Sequence, residues 1–250
     1  MPTRPLRTAE DDTREAQVWL ALDTVLDPEL DEPVTALGFV TRVAIEDDTV
    51  AVDFRLPTYW CSPNFAWIMA EDMRDALRAL PWARRVAVTL ADHLFAGKIN
   101  AAVNRGEGFG DAFAEAGGDL AQLRATFRRK AYLGRMAALI EALRVTGRGD
   151  ADLVGMMVDD LRRVVESGSA PLAALTGRYL ELRTAFGGPH EESDPAFRTP
   201  EGDDIAPGAL PLFLRGIRMT RRGAEANGEM CRIYLRERPP GVAEGKGGPD

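Results

Sequence analysis

The stretch FVTRVAIEDDTVAVDFRL, residues 39–56, decides the fold of the first part of this chain. Apolar and polar residues alternate on both sides of Asp47 and Asp48, which is the pattern of strands that bury one face. Two such strands joined by a short acidic turn predict an antiparallel hairpin. The side chains expected to face the core are Val43, Ile45, Val50, Val52 and Phe54.

One helix is predicted before the hairpin, and a second helix and a third strand after it. Residues 13–26 place apolar side chains at helical spacing, and Pro28 ends this helix because a residue that precedes proline is pushed out of the α region. The second helix has Ser62 as a favourable N-cap and Pro63 at the preferred first helical position. The third strand is predicted at residues 84–92.

The rest of the chain has a different character. Helical patterns punctuated by glycine fill residues 93–186, where no strand pattern of comparable strength occurs. An acidic linker rich in glycine and proline is predicted at 187–208, a last helical segment at 209–236 and a disordered tail at 237–250. The predicted fold class is therefore α+β, with a small two-layer α-β-β-α-β domain over residues 13–92 and a mostly α-helical extension.

Charge and hydropathy limit the kind of protein. The 250 residues include 31 basic and 39 acidic ones, and the net charge of −8 argues against general binding to nucleic acid or to anionic membranes. No apolar run reaches the roughly 18 residues of a membrane-spanning helix. Residues 1–12 lack the apolar segment of a signal peptide. We therefore expect a cytoplasmic protein without nucleic-acid or membrane partners.

Cys61 is the candidate reactive residue. It directly precedes the predicted N-cap, where the free N–H groups and the positive end of a helix favour the thiolate, the form that binds metals and attacks electrophiles. Thr58 can offer its hydroxyl at the same place, and Asp27 and Glu29 of the DPEL turn can present carboxylates on the same edge. Plain packing is the alternative, because free cysteine is among the most buried residue types.

Further metal ligands are predicted at two other places. His93 follows a core strand beside Asp92, where it is either a metal ligand or a polar residue satisfied by its surroundings. In the last helix Glu225 and Glu229 share one face at i,i+4, and Cys231 lies on another. Oxygen and thiolate ligands on one helix suit iron. A solvated acidic face with one buried cysteine is the alternative.

Four stretches resemble iron–sulfur cluster assembly factors of the SufT and PaaD type. They are DPEL (27–30), LGFV (37–40), LPTYWCSP (56–63) and VAVTL (86–90). The family signature is a DPE turn together with a threonine and a cysteine before the second helix, here Asp27, Pro28, Glu29, Thr58 and Cys61. The resemblance implies an α+β domain that binds iron or an iron–sulfur cluster transiently through the cysteine, with the other signature residues in support.

The remainder resembles long members of this family that are encoded with bacterial soluble di-iron monooxygenases of the propane and alkene type. The stretches that carry this likeness are DHLFAGKINAAVNRGEGFGDAF (92–113), FRRKAYLGRMAALIEAL (127–143) and EANGEMCRIYLRER (225–238). The resemblance implies a client metalloprotein that is a monooxygenase component, either an iron–sulfur reductase or a di-iron hydroxylase. One thiolate per chain then implies a homodimer, or a further ligand from His93, Cys231 or the client.

Three functions are compatible with these residues. The first is an accessory maturation factor, not an enzyme, that holds iron or a nascent cluster through Cys61 and hands it to the client. The second is a metal-free chaperone for a monooxygenase subunit. The third is a thiol enzyme with Cys61 as nucleophile and His93 as base, which requires the sulfur and an imidazole nitrogen within hydrogen-bond reach.

Overall fold

The computed structural model describes residues 9–114, 120–188 and 191–237. The chain divides into two compact units. The first unit contains the residues up to Ala121 together with those from Asn227 onward, and the second contains Gln122–Ala226. None of the helices in the described ranges has both the length and the apolar character that crossing a lipid bilayer requires.

A three-stranded sheet lies at the centre of the first unit. Strands β1 (Val40–Glu46) and β2 (Thr49–Arg55) pair antiparallel, which confirms the predicted hairpin. Strand β3 (Arg85–Ala91) pairs parallel with β2, so that the sheet order is β1-β2-β3. Val50, Val52 and Phe54 of β2 are fully buried, as their alternation with polar residues predicts.

Four helices of the first unit pack with this sheet: α1 (Ala9–Asp23), α2 (Pro63–Arg78), α3 (Ala96–Arg105) and the short α4 (Phe109–Ala112). The α+β class is therefore confirmed. Helix α1 ends before the predicted boundary, because the chain tightens into a bond from the Val25 N–H to the Leu22 carbonyl and then forms a bridge between Leu26 and Pro33. Helices α3 and α4, predicted as part of the extension, contribute to the core of this unit.

Two asparagines of α3 bind the outer backbone groups of β3, an edge strand of the sheet. The Asn100 amide accepts from the Leu90 N–H at 2.8 Å and donates to the Leu90 carbonyl at 3.0 Å. Asn104 makes the same pair with Val88, at 2.9 and 2.8 Å. A separation of four residues on a helix spans about 6 Å, which matches the roughly 6.6 Å between alternate residues of a strand. We call this pair of asparagines the asparagine clamp.

Asn104→Ala is expected to lower the free energy of unfolding of the first unit by about 2 kcal/mol, because two hydrogen bonds to the Val88 backbone are lost at roughly 1 kcal/mol each. Denaturant unfolding followed by tryptophan fluorescence measures this change, since all four tryptophans lie in this unit. Arg105→Ala, at an exposed neighbouring position, is the control and should change stability by less than about 0.5 kcal/mol. Equal stability of the two variants would contradict the role of the clamp.

The second unit is helical. It contains α5 (Leu120–Val145) from Gln122 onward, α6 (Asp150–Val154), α7 (Val158–Ser167), α8 (Ala170–Arg183), a short 3-10 turn (Pro207–Ala209) and the first half of α9 (Leu210–Glu237). Its core is built around two stacked tyrosines, Tyr132 and Tyr179, whose ring centroids are 5.5 Å apart. Leu210, Leu214 and Ile217 bring α9 into the same core.

Residues 187–208 differ from the predicted linker. Within the described part of this segment Ala196, Phe197 and Ile205 are buried in the core of the second unit. The physical reason is Arg183, whose fully buried guanidinium donates to backbone carbonyls of the segment and satisfies their hydrogen-bonding needs without a helix or a strand. Glycine and proline content alone does not reveal this arrangement. The predicted tail beyond Glu237 lies outside the described residues.

Candidate metal site

The candidate site lies at the edge of the sheet where β2 and β3 end. Because the two strands are parallel, the loops that leave their carboxyl ends meet at the same edge. The Leu94 N–H donates to the Tyr59 carbonyl at 2.9 Å, and a second bond joins the His93 ring to the Cys61 carbonyl at 2.8 Å. These two bonds fix the loop that carries the cysteine against the loop that follows β3.

Cys61 is partly buried directly before the N-terminus of α2. Its sulfur lies 3.1 Å from the Thr58 hydroxyl oxygen, within hydrogen-bonding distance. Ser62 is the N-cap and Pro63 the first helical residue, as predicted, but the Ser62 side chain makes no capping hydrogen bond. The thiol is therefore positioned beside a hydroxyl that can donate to a thiolate and near the positive end of a helix.

His93 is held by backbone groups at both ring nitrogens. The Phe95 N–H donates to Nδ1 at 3.2 Å, which leaves the proton on Nε2, and Nε2 donates it to the Cys61 carbonyl. The residue as a whole is 9% exposed. The structure therefore favours the satisfied polar residue over the metal ligand. It also counts against the thiol enzyme, because a protonated Nε2 that donates to a carbonyl is not a base for the thiol.

Asp27 builds the DPEL turn. One of its carboxylate oxygens accepts the N–H groups of Glu29 and Leu30, both at 2.9 Å. Its carbonyl accepts the Asp31 N–H at 3.0 Å, and its N–H donates to the Glu32 carbonyl at 2.9 Å. Burial raises the pKa of Asp27 above its ordinary value, because the cost of desolvation outweighs the two N–H bonds that lower this pKa. The carboxylate thus has a structural role in the turn.

Asp27→Asn is expected to remove a pH dependence of stability, since asparagine keeps the accepting oxygen and buries no charge. With the pKa raised in the folded state, the folded protein binds this proton more tightly than the unfolded chain does. The contribution of Asp27 to the free energy of unfolding is complete below its ordinary pKa of 3.8 and is lost as the pH rises through its pKa in the folded protein. Urea unfolding of wild type and variant, from acidic to neutral pH, should show that the variant is at least as stable as wild type at neutral pH. A less stable variant would contradict this account.

The second half of α9 packs against the DPEL turn within the first unit. A Cβ at Gly228 would lie 3.1 Å from the Leu30 side chain, and Arg232 forms a hydrogen-bonded ion pair with Glu32. Cys231 is three residues after Gly228 and next to Arg232, so that all three share the helix face that contacts the turn.

The Cys231 thiol has a raised pKa. Burial is the largest cause, and together with the charges of Cys61, Asp27 and Glu29 it raises this pKa to about 11. Helix α9 thus brings Cys231 to the side of the unit where the DPEL turn lies. At neutral pH this group is a thiol, and it becomes a thiolate only when a metal displaces its proton.

The remaining predicted carboxylates have other neighbours. Asp92 lies 3.9 Å from the Arg55 guanidinium, and the exposed Glu229 lies 3.8 Å from Arg232. The side chain of Glu225 lies outside the described residues. Among the side chains that are described, no three from histidine, cysteine, aspartate and glutamate converge to hold a metal ion.

A group of exposed apolar side chains lies beside Cys61. We call it the loop patch; it consists of Tyr59, Trp60, Leu94 and Phe95, with exposed fractions of 51, 59, 65 and 42%. The Tyr59 and Trp60 rings meet edge to face, with centroids 4.6 Å apart. Trp67, seven residues after Trp60, is instead fully buried. A signal for the patch was present in the sequence, since each apolar pair directly adjoins Cys61 or His93.

Comparison with known families places part of the first unit in a described family model. Residues 15–90 match the family model described as iron-sulfur cluster assembly protein. The matched range contains the DPEL turn, the whole sheet except the last residue of β3, Thr58 and Cys61, and it leaves out the second unit. A comparison with curated proteins gave no match. The family match supports a role in iron–sulfur cluster assembly.

Proposed function

We propose that this chain is an accessory maturation factor of iron–sulfur cluster assembly, which carries iron or a nascent cluster on Cys61 and delivers it to a client metalloenzyme in the cytoplasm. The observation that carries the proposal is the contact of 3.1 Å between the Cys61 sulfur and the Thr58 hydroxyl, inside the range that matches the assembly family. The chain is in this view a carrier and not an enzyme.

The geometry at Cys61 suits a cargo that must leave again. The sulfur is partly buried, so that a client can reach it, and the Thr58 hydroxyl supplies a hydrogen bond that stabilises a thiolate or a sulfide. A closed site with four protein ligands holds its metal firmly. A site with fewer protein ligands releases its cargo when thiolates or carboxylates of the client replace Cys61.

His93 acts as a positioning residue in this proposal. Its ring bonds to the Cys61 carbonyl and fixes the loop without occupying the sulfur. The client is proposed to be a component of a di-iron monooxygenase. Support for that choice is the resemblance of residues 92–113, 127–143 and 225–238 to long family members encoded with such enzymes.

A metal-free chaperone is the second candidate, and the loop patch favours it. Four exposed apolar side chains on two adjoining loops form the kind of surface that binds another protein. The two functions differ at Cys61, because a chaperone that acts through the patch does not need the thiol.

Anaerobic loading with ferric iron and sulfide tests the proposal. The purified chain is expected to gain bound iron and the visible absorption of an iron–sulfur cluster. After unbound iron and sulfide have been removed, the loaded chain is expected to transfer the iron and the absorption to an apo-ferredoxin acceptor. A wild-type protein that binds no iron would overturn the carrier function and favour the chaperone. Iron that binds but never reaches the acceptor would overturn delivery.

A further inference from the structure

The second half of helix α9 exposes an apolar face. On one side of the helix Arg232 pairs with Glu32 of the DPEL-turn region, and Leu235 packs against the core of the first unit. Met230, Ile233 and Tyr234 lie on the opposite side and remain 49, 37 and 44% exposed. At about 3.6 residues per turn, these three side chains share one face of the helix. We call them the α9 stripe.

The stripe has the spacing of a coiled-coil seam. Met230, Ile233 and Glu237 follow one another at intervals of three and four residues, as positions a, d and a of a heptad do. Glu229 and Arg236 each directly precede an a position, so that they lie along the same edge of the stripe. Arg236 is exposed, and Glu229 keeps 63% of its side chain exposed beside Arg232. Such a seam fits a second helix with matching charges at its edge.

The charges at this edge indicate which helix that is. In an antiparallel pair of identical helices, a twofold axis brings the same edge of both copies together. Glu229 of each copy then lies across from Arg236 of the other, and the same register packs Met230 of each copy on Ile233 of the other. The chain's own residues 238–250 match the stripe less well, because Val242 is their only large apolar residue.

We propose that two copies of this chain associate through the second halves of their α9 helices, packed antiparallel along the α9 stripe. Burial of the apolar side chains drives the association, whereas exposed ion pairs contribute little affinity and set the orientation. The contact uses neither Cys61 nor the loop patch. It is a property of the chain without cargo and therefore does not rest on the proposed function.

Sedimentation equilibrium of the iron-free full chain over a range of concentrations tests the inference. The wild type is expected to rise with concentration from its mass of 27.3 kDa toward twice that value. Ile233→Asp should stay at the monomer mass, because the contact would bury an unpaired carboxylate of each copy. Leu94→Ser is the matched control, since it removes a side chain that is 65% exposed in the loop patch and should leave the dimer unchanged.

Exchange of the edge charges tests the antiparallel register. Glu229→Arg and Arg236→Glu each place two pairs of like charges across the contact and are expected to raise the dissociation constant about tenfold. The variant that carries both changes restores two pairs of opposite charge, and its dissociation constant should return close to that of the wild type. Both residues are exposed, so that circular dichroism should show the same helix content in all these variants.

Three outcomes would contradict the inference. A wild type that is monomeric at every concentration would overturn the association and assign the stripe to a different protein, with no consequence for the carrier function. A dimer that Leu94→Ser dissociates would place the contact at the loop patch instead. A double charge variant that associates as weakly as the two single variants would overturn the antiparallel register.

Discussion

Cys61→Ser is expected to lower the affinity for iron or cluster by more than about 100-fold, beyond the 10–100-fold that loss of a residue supporting a metal ligand costs. Serine preserves the size of the side chain and the contact with Thr58, but its hydroxyl does not ionise near neutral pH and so offers no soft anionic ligand. Bound iron and visible absorption after anaerobic loading with ferric iron and sulfide measure the loss. The fold should be unchanged, because the side chain is only partly buried.

Substitutions of Thr58 are expected to have a smaller effect on binding than Cys61→Ser. Thr58→Val removes the hydroxyl that lies 3.1 Å from the sulfur and is expected to weaken binding about tenfold. Thr58→Ser keeps the hydroxyl and should restore binding. If Cys61→Ser retained as much iron as wild type, a different residue would hold the cargo, and the role assigned to Cys61 would be wrong.

Arg183→Met is expected to lower the free energy of unfolding of the second unit by about 3 kcal/mol or more, since hydrogen bonds to four backbone carbonyls are lost at roughly 1 kcal/mol each. The Arg183 side chain is fully buried. The four carbonyls belong to Phe186, Gly188, Pro195 and Ala196, at distances of 3.0 to 3.3 Å. Methionine fills part of the volume but donates to none of them.

The positions of the tryptophans allow the unfolding of the two units to be followed separately. All four lie in the first unit, whereas far-ultraviolet circular dichroism also reports the helices of the second. Arg183→Met should therefore shift the dichroism transition to lower denaturant concentration and leave the fluorescence transition in place. Arg162→Met is the control, because Arg162 forms an exposed ion pair with Glu192 and should contribute less than about 1 kcal/mol. Equal transitions for the two variants would contradict the role of the buried guanidinium.

The parts of the fold that depend on short patterns could be predicted from the sequence. Alternation over residues 39–56 gave both strands of the hairpin, and Ser62 with Pro63 marked the start of α2. Both signals come from neighbouring residues. Arg183, by contrast, bonds to residues up to 13 positions away, and its role depends on a loop whose composition resembles that of a linker. No local pattern shows that such a loop is packed around a cation.

The candidate site, like the fold, could be predicted only in part from the sequence. The spacing of Thr58 and Cys61 led to a contact that the structure shows. For His93 the sequence correctly predicted a position in the loop after β3. It does not show which atoms the two ring nitrogens contact, and in the structure both form hydrogen bonds with backbone groups. The ion pair of Arg232 with Glu32 joins residues 200 positions apart, which no pattern in the chain reveals.

The asparagine clamp has a consequence for how this protein meets others. An unpaired strand edge is a template for β-augmentation, in which a foreign peptide or a second copy adds a strand, and it is also where fibrils begin. With the backbone groups of Val88 and Leu90 already bound by side chains, β3 offers no such template at these positions. At this edge of the sheet the protein is in this way protected from capturing a segment of another chain as an extra strand.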